Sequence, residues 1–270
     1  HYDGHATWDS QLAPSCFHGV TTVVMGNCGV GFAPAAPDQH EWLISLMEGV
    51  EDIPGSALAE GIQWEWESFP QYMDSIEDKP TSINVVAQVP HGALRVFVMG
   101  KRGADHTAKP TPEEIETMGR LAREAIAAGA VGFTSSRTRN HRTIDGEFTP
   151  SLTAGPDEML GIAKAIGEGG RGVFEMVADF SHLEEEFDLL RKMVEVSGRP
   201  MSISVAQNDD RPDQWRQLLD LIGQAVDDGL PMAAQVPPRA IGLLLGLQAT
   251  FHPFISSSHY KDIESLPLEE

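Results

Sequence analysis

Cysteine is nearly absent from this chain: Cys16 and Cys28 are the two in its 270 residues. So few exclude a disulfide scaffold and point to a reducing, cytoplasmic compartment. Basic side chains are also scarce, with 19 Lys and Arg against 40 Asp and Glu and a net charge of −21. Such a surface repels phosphate and offers no Lys/Arg cluster, which argues against nucleic acid and anionic membranes as partners. Long apolar runs are missing too. The longest, around Ile241 to Leu247, is far too short to span a bilayer, and no secretory leader pattern is visible. Nor does a GxGxxG follow the first strand in a βαβ frame, which weakens a dinucleotide-binding reading.

What is present is ordinary globular composition, 41% hydrophobic and 22% charged, enough for one large domain or two small ones. The opening HYDGHATWD has no initiator Met and the closing SLPLEE reads as the start of a helix. Both lead us to expect a piece of a longer protein.

The second half repeats a unit of helix, glycine and short strand. TPEEIETMGRLAREAIAAG opens with a capping box, Thr111 with Glu114, and Pro112 at the first helical position. Ile115, Met118, Ala122, Ala125 and Ile126 fall at helical spacing, and Gly129 is placed to end the helix. Ser181 and Glu184 suggest a second capping box before LEEEFDLLRKMVEVSG. Six strands are expected near 21–25, 83–89, 130–134, 172–177, 201–206 and 231–236. Those runs are apolar on both faces, as in a parallel sheet covered by helices. Residues 38–79, with Trp42, Trp64 and Trp66, are too many for a plain crossover and read as an inserted excursion. The alternation indicates a (β/α) barrel or a doubly wound sheet.

In a barrel the chemistry lies at the C-terminal strand ends. Here those ends carry Asn27-Cys28, His91, Ser135-Ser136-Arg137, Glu175, Gln207-Asn208 and Gln235, with His1-Tyr2-Asp3 at the start of the chain. Cys28 reads either as a small core hydrophobe or as a metal ligand or nucleophile at a strand mouth. His1, Asp3 and His5 read as a solvated polar cluster or as ligands. His91 reads as a ligand, an acid–base group, or a ring packed under a turn. Glu175 sits between Phe174 and Met176 in an apolar strand. A carboxylate there needs a cation or a hydrogen-bonding network. The loop SSRTRNHRTIDG, with Arg137, Arg139, His141 and Arg142, is basic in an acidic chain. It reads as a solvated loop with local salt bridges or as a guanidinium fork for a carboxylate.

Several long segments, in order, resemble the N-acyl-D-amino-acid deacylase (D-aminoacylase) branch of the amidohydrolase superfamily: HYDGHATWD, APSCFHGVTTVVMGNCGVGFAP, HGALRVFVMG, AGAVGFTSSRTRNHRTIDG and GLLLGLQATFHPF. The resemblance implies an α/β fold, a TIM-like (β/α)8 barrel of the amidohydrolase type. In this chain it would be incomplete, the first and last strands missing, with residues 1–270 forming a partial barrel around the excursion at about 38–79. It implies one or two Zn2+ ions. His1 resembles the second histidine of an H-x-H pair and Cys28 a zinc-ligating cysteine. Glu175 and Val205 stand where the family has histidines; Glu175 retains a ligand's chemistry and Val205 does not. The catalytic aspartate would lie beyond Glu270. Ser135, Arg137, His141 and His91 are the substrate-binding candidates, with Arg137 the carboxylate clamp. The implied reaction is hydrolysis of an N-acyl-D-amino acid to a carboxylate and a free D-amino acid, with a small-molecule substrate as partner and a homo-oligomer left open. The rivals are another amidohydrolase acting on a cyclic amide and a degenerate or partial barrel that binds ligand without turnover. The first would want a carboxylated lysine at a strand end, and no Lys stands there.

Overall fold

A computed structural model describes residues 2–237, 245–247 and 252–267. The chain divides into two compact units, His1–Val236 and Pro237–Glu270. In the second, the described residues include α11 (Ser258–Lys261), whose Ser257 cap accepts from the Tyr260 amide. Everything that follows concerns the first unit.

Its chain begins with a single helical turn, α1 (Tyr2–His5), and then β1 (Thr22–Met25). The expected excursion is helical: α2 (His40–Glu51), α3 (Gly55–Gly61) and α4 (Phe69–Glu77). β2 (Asn84–Pro90) runs straight into α5 (His91–Met99), followed by α6 (Lys101–Ala104) and α7 (Pro112–Ala127). The regular units then follow as β3 (Gly132–Arg137), α8 (Pro156–Glu168), β4 (Val173–Ala178), α9 (Leu183–Ser197), β5 (Met201–Ser204), α10 (Gln214–Asp227) and β6 (Met232–Gln235).

All six strands are parallel and adjacent in chain order, β1 to β6. A doubly wound sheet reverses its order at a switch point. This sheet never does, so it curls as a half-barrel. Every span expected to be a strand overlaps one, β3 running three residues past its expected end. The face turned to the helices is sealed: Phe133, Ser135, Phe174, Met176, Met201, Ile203 and Met232 are buried. Thr134 opposes Glu175, and Glu175 opposes Ser202. These residues stand on the other, concave face, which stays partly open along β5 and β6.

Local chemistry explains the elements. Around α7 the capping box forms as expected, the Thr111 hydroxyl accepting from the Glu114 amide at 3.3 Å and Glu114 accepting from the Thr111 amide at 2.7 Å. The expected Ser181–Glu184 box does not form. That helix starts at Leu183, and the His182 amide donates to Glu186 Oε1 at 2.9 Å instead. Glu186 lies one turn further in, where its carboxylate still meets the positive helix end.

Candidate functional site

The loop after β1 is shaped by contacts that tolerate no side chain. Gly26 and Gly29 hold φ of +80° and +72°, and a Cβ on Gly29 would lie 2.6 Å from the Ser136 amide nitrogen. Cys28 between them also holds a left-handed φ of 72°, at a cost of about 1 kcal/mol for a residue with a Cβ. Four contacts fix the loop. The Gly26 amide donates to Asp3 Oδ2 at 3.3 Å, and the Gly29 amide donates to Thr134 Oγ1 at 3.1 Å. The Thr134 hydroxyl donates to the Gly26 carbonyl. The Cys28 amide donates to Glu175 Oε2 at 3.1 Å.

That last bond brings two expected ligands together across 147 positions of sequence. Glu175, on β4, is 2% exposed. Ser204, on β5, donates to its Oε1 at 2.8 Å. The Asn27 amide nitrogen, oriented to satisfy its neighbours, donates to Oε2 at 2.6 Å and Oε1 at 3.1 Å. All three partners are neutral. Burial raises the Glu175 carboxyl above its ordinary range, against the pull of the Ser204 and Cys28 bonds. Burial, and then the carboxylates of Glu175 and Glu51, push the Cys28 thiol up to about 12. Among the described residues neither group is in ion-pair contact with a positive charge.

Donor chemistry tests whether a metal suits this place. A thiolate and a carboxylate are both zinc ligands, and a buried carboxylate beside a suppressed thiolate is where a cation is most stabilising. The pair fits a metal as part of a donor set. Among the described residues no group of three or more His, Cys, Asp or Glu is gathered to hold one. His1 lies outside the described residues. The resemblance gave Val205 as the residue in a histidine's place. Val205 is buried on the helix-side parity of Met201 and Ile203, and Ser204 is the residue that reaches Glu175.

The substrate-binding candidates separate onto two faces. Ser136 follows Thr134 on the concave side, and its hydroxyl lies 2.8 Å from His141 Nδ1. Burial lowers the His141 imidazole, opposed by Glu51 and Asp179, so the ring is neutral near pH 7. Ser135 points the other way, its hydroxyl 2.8 Å from His91 Nδ1. His91 is not under a turn; it is the first residue of α5 and fully buried. Its Nε2 lies 3.1 Å from Glu158 Oε1, which also accepts from Arg95 Nε at 2.9 Å. Burial alone would raise the Glu158 carboxyl; the His91 hydrogen bond and the Arg95 guanidinium outweigh it and hold it below its ordinary range. Arg95 also donates to the carbonyls of Gly103, Asp105, Pro150 and Ala108. Both ring nitrogens of His91 and the Ser135 hydroxyl are thus committed to the interior.

Arg137 shares Ser135's parity and stands on the helix side of the sheet. Its Nη1 donates to the Ala154 carbonyl at 2.5 Å, and it lines a cleft between the α8 and α9 ends that includes neither Cys28 nor Glu175. Arg137 thus stands in that cleft rather than beside Cys28 and Glu175. Sequence reasoning did not single out Asn27, Ser204 or Glu51 as partners of the site. Asn27 and Ser204 are small polar residues beside expected ones, and Glu51 ends a helix of the excursion.

With this geometry in view, a profile of the family described as "Amidohydrolase family" matches residues 1–270. D-aminoacylase of Alcaligenes xylosoxydans xylosoxydans is 29% identical over 198 residues, covering 72% of this chain and 36% of its own length. Among solved structures, a D-aminoacylase described by its binuclear metal center superposes with a TM-score of 0.68 at 23% identity, over 88% of this chain and 46% of that one. An N-acyl-D-glutamate deacylase from Bordetella bronchiseptica, complexed with zinc and a phosphonate inhibitor, gives 0.64 at 24% identity, over 83% and 43%. The structural likenesses establish the fold. The chain spans less than half the length of each of these relatives.

Proposed function

Because the chain belongs to the amidohydrolase family, we propose that it is part of a metal-dependent hydrolase of N-acyl-D-amino acids, releasing a carboxylate and a free D-amino acid. The observation that carries this reading is the contact of the Cys28 backbone amide with the Glu175 carboxylate, a half-buried cysteine beside a buried carboxylate whose hydrogen-bond partners among the described residues are neutral. The names of the relatives, D-aminoacylase and N-acyl-D-glutamate deacylase, support the substrate class. Zinc in one of them and a binuclear center in another support one or two Zn2+.

Cys28 and Glu175 would hold the metal together with His1. When bound, such a metal lowers the pKa of its water and polarises the amide oxygen. The chain's own residues prepare for it. Three donors fix the Glu175 carboxylate, so its free lone pairs keep one direction. In the tautomer whose Nδ1 accepts from the Ser136 hydroxyl, a neutral His141 ring would carry Nε2–H as a donor for a substrate oxygen. The buried His91–Glu158–Arg95 network ties β3 to the loops around Gly103 and Pro150, and so holds the mouth of the site in shape. Two free cysteines fit a cytoplasmic setting, and no helix among the described residues is long and apolar enough to cross a membrane.

One specific observation favours a second reading, a barrel that binds ligand without turnover: Val205, which cannot bind a metal, stands where the resemblance implies a histidine. Incubating the full-length protein with zinc and N-acetyl-D-leucine, N-acetyl-L-leucine or hydantoin separates the readings. Release of D-leucine with little L-leucine is expected. Hydantoin opening alone, or no hydrolysis of any substrate, would remove the deacylase assignment.

A further inference from the structure

The cleft that receives Arg137 has a use that the concave site does not explain. Its volume is about 650 Å³, within the usual span of small-ligand clefts of about 300–1,000 Å³. It lies at the N-terminal ends of α8 and α9, on the sheet face opposite Cys28 and Glu175.

Inside the cleft Arg137, Arg139 and Glu185 have no ion-pair partner among the described residues, and Asp179 and Glu186 are held by neutral donors. Lys192 is neutralised by Asp188 at 2.6 Å. Asp179 accepts from the Thr138 hydroxyl and the Arg139 amide. Glu186 accepts from the His182 amide at 2.9 Å. Arg137 has no acid in ion-pair contact, and a single N–H, on Nη1, is used, on a backbone carbonyl. A guanidinium carries five donors, so a fork remains for a ligand oxygen pair. Glu185 lines the same cleft, is exposed, and forms no hydrogen bond or ion pair among the described residues. Between these charges the wall is apolar, with Leu152, Leu160 and Leu189.

We propose that this cleft binds a free α-amino acid, its carboxylate on the Arg137 guanidinium, its ammonium on Glu185 and its side chain against the leucines. A simple anion would leave Glu185 repelling it, and a simple cation would face Arg137. A zwitterion meets both. The inference stands on the cleft alone. Its link to catalysis, where a free amino acid is the product and the N-acylated substrate lacks the ammonium, rests on the proposed deacylation.

Methyl-labelled NMR of this chain reads the leucines directly. D-leucine should shift the Leu152, Leu160 and Leu189 methyls saturably. N-acetyl-D-leucine, without the ammonium, and D-leucinamide, without the carboxylate, should each bind at least about 10-fold more weakly, since each loses a charge-assisted contact. Arg137→Gln and Glu185→Gln should each weaken D-leucine by a similar factor. Glu185 is exposed, so its variant keeps the fold and decides the matter even where Arg137→Gln is unstable. No saturable shift, equal binding of N-acetyl-D-leucine and D-leucine, or unchanged binding in Glu185→Gln would overturn the proposal. Hydrolysis of N-acetyl-D-leucine, assayed separately on the full-length protein, can succeed or fail without altering this result.

Discussion

Removing the Ser204 hydroxyl tests how Glu175 is held. Ser204 Oγ donates to Glu175 Oε1 at 2.8 Å, and the carboxylate is 2% exposed. A hydrogen bond to a charged group contributes about 1.5–3 kcal/mol. Ser204 is only half-buried, so water partly replaces it, and Ser204→Ala should cost about 1.5 kcal/mol near pH 7. The pH dependence gives the sharper signature. The Glu175 carboxyl is raised above its ordinary 4.5 by burial, with Ser204 among the groups that lower it. A raised carboxyl contributes stability that is full below its unfolded value and is lost as pH rises through the folded value. Ser204→Ala removes a lowering contact and raises the folded value further, so its penalty must grow as pH rises above 4.5. Urea unfolding of the 270-residue chain at pH 4 and pH 7, followed by circular dichroism, measures both. An equal penalty at the two pH values, or a loss below about 0.5 kcal/mol at pH 7, would refute this account of Glu175.

Two further perturbations probe the frame around it. Gly29→Ala would place a Cβ 2.6 Å from the Ser136 nitrogen and 2.7 Å from the Ser135 Cα at a φ of +72°. Backbone on the far side cannot yield, so a loss of about 2–4 kcal/mol is expected in denaturant unfolding. A loss under about 1 kcal/mol would mean that the loop stands further from β3. Glu158→Ala would strip the acid from Arg95, itself 1% exposed. An uncompensated buried charge costs about 3–5 kcal/mol, measurable as a lowered urea midpoint. A neutral outcome would show that the carbonyls around Arg95 suffice to hold it.

The strands were legible as short runs between helix signals, although β3 and β5 are not apolar on both faces: Thr134, Ser136, Ser202 and Ser204 take the concave side. The barrel-like order was half legible: alternation allowed two windings, and only the pairing of β1 through β6 selected one. Cys28 and Glu175 were legible as strand-mouth residues of the right chemistry. Their contact was not, since it depends on the register that sets Thr134 opposite Glu175. The same register puts Arg137 on the helix side, which charge alone could not reveal. The side taken by Val205 was readable in MSISV, where Met201, Ile203 and Val205 alternate with the serines; the family comparison overrode a period-2 signal. His91 read as a ligand, an acid–base group or a ring packed under a turn; Pro90 ends β2 and α5 starts at once with His91 buried. Ser181 read as a cap because Glu184 stands three residues on, and Glu186 caps from within the helix instead.

The central claim, that Cys28 and Glu175 share a metal, is tested most directly by the zinc content of the full-length protein after dialysis, measured by mass spectrometry for the native chain, Cys28→Ala and Glu175→Ala. Cys28 is a protonated thiol without metal, its value pushed up to about 12, so zinc binding must also release a proton. The account predicts at least one zinc in the native protein, proton release on loading, and loss of zinc in both variants. Full zinc retention in Cys28→Ala and Glu175→Ala would contradict it.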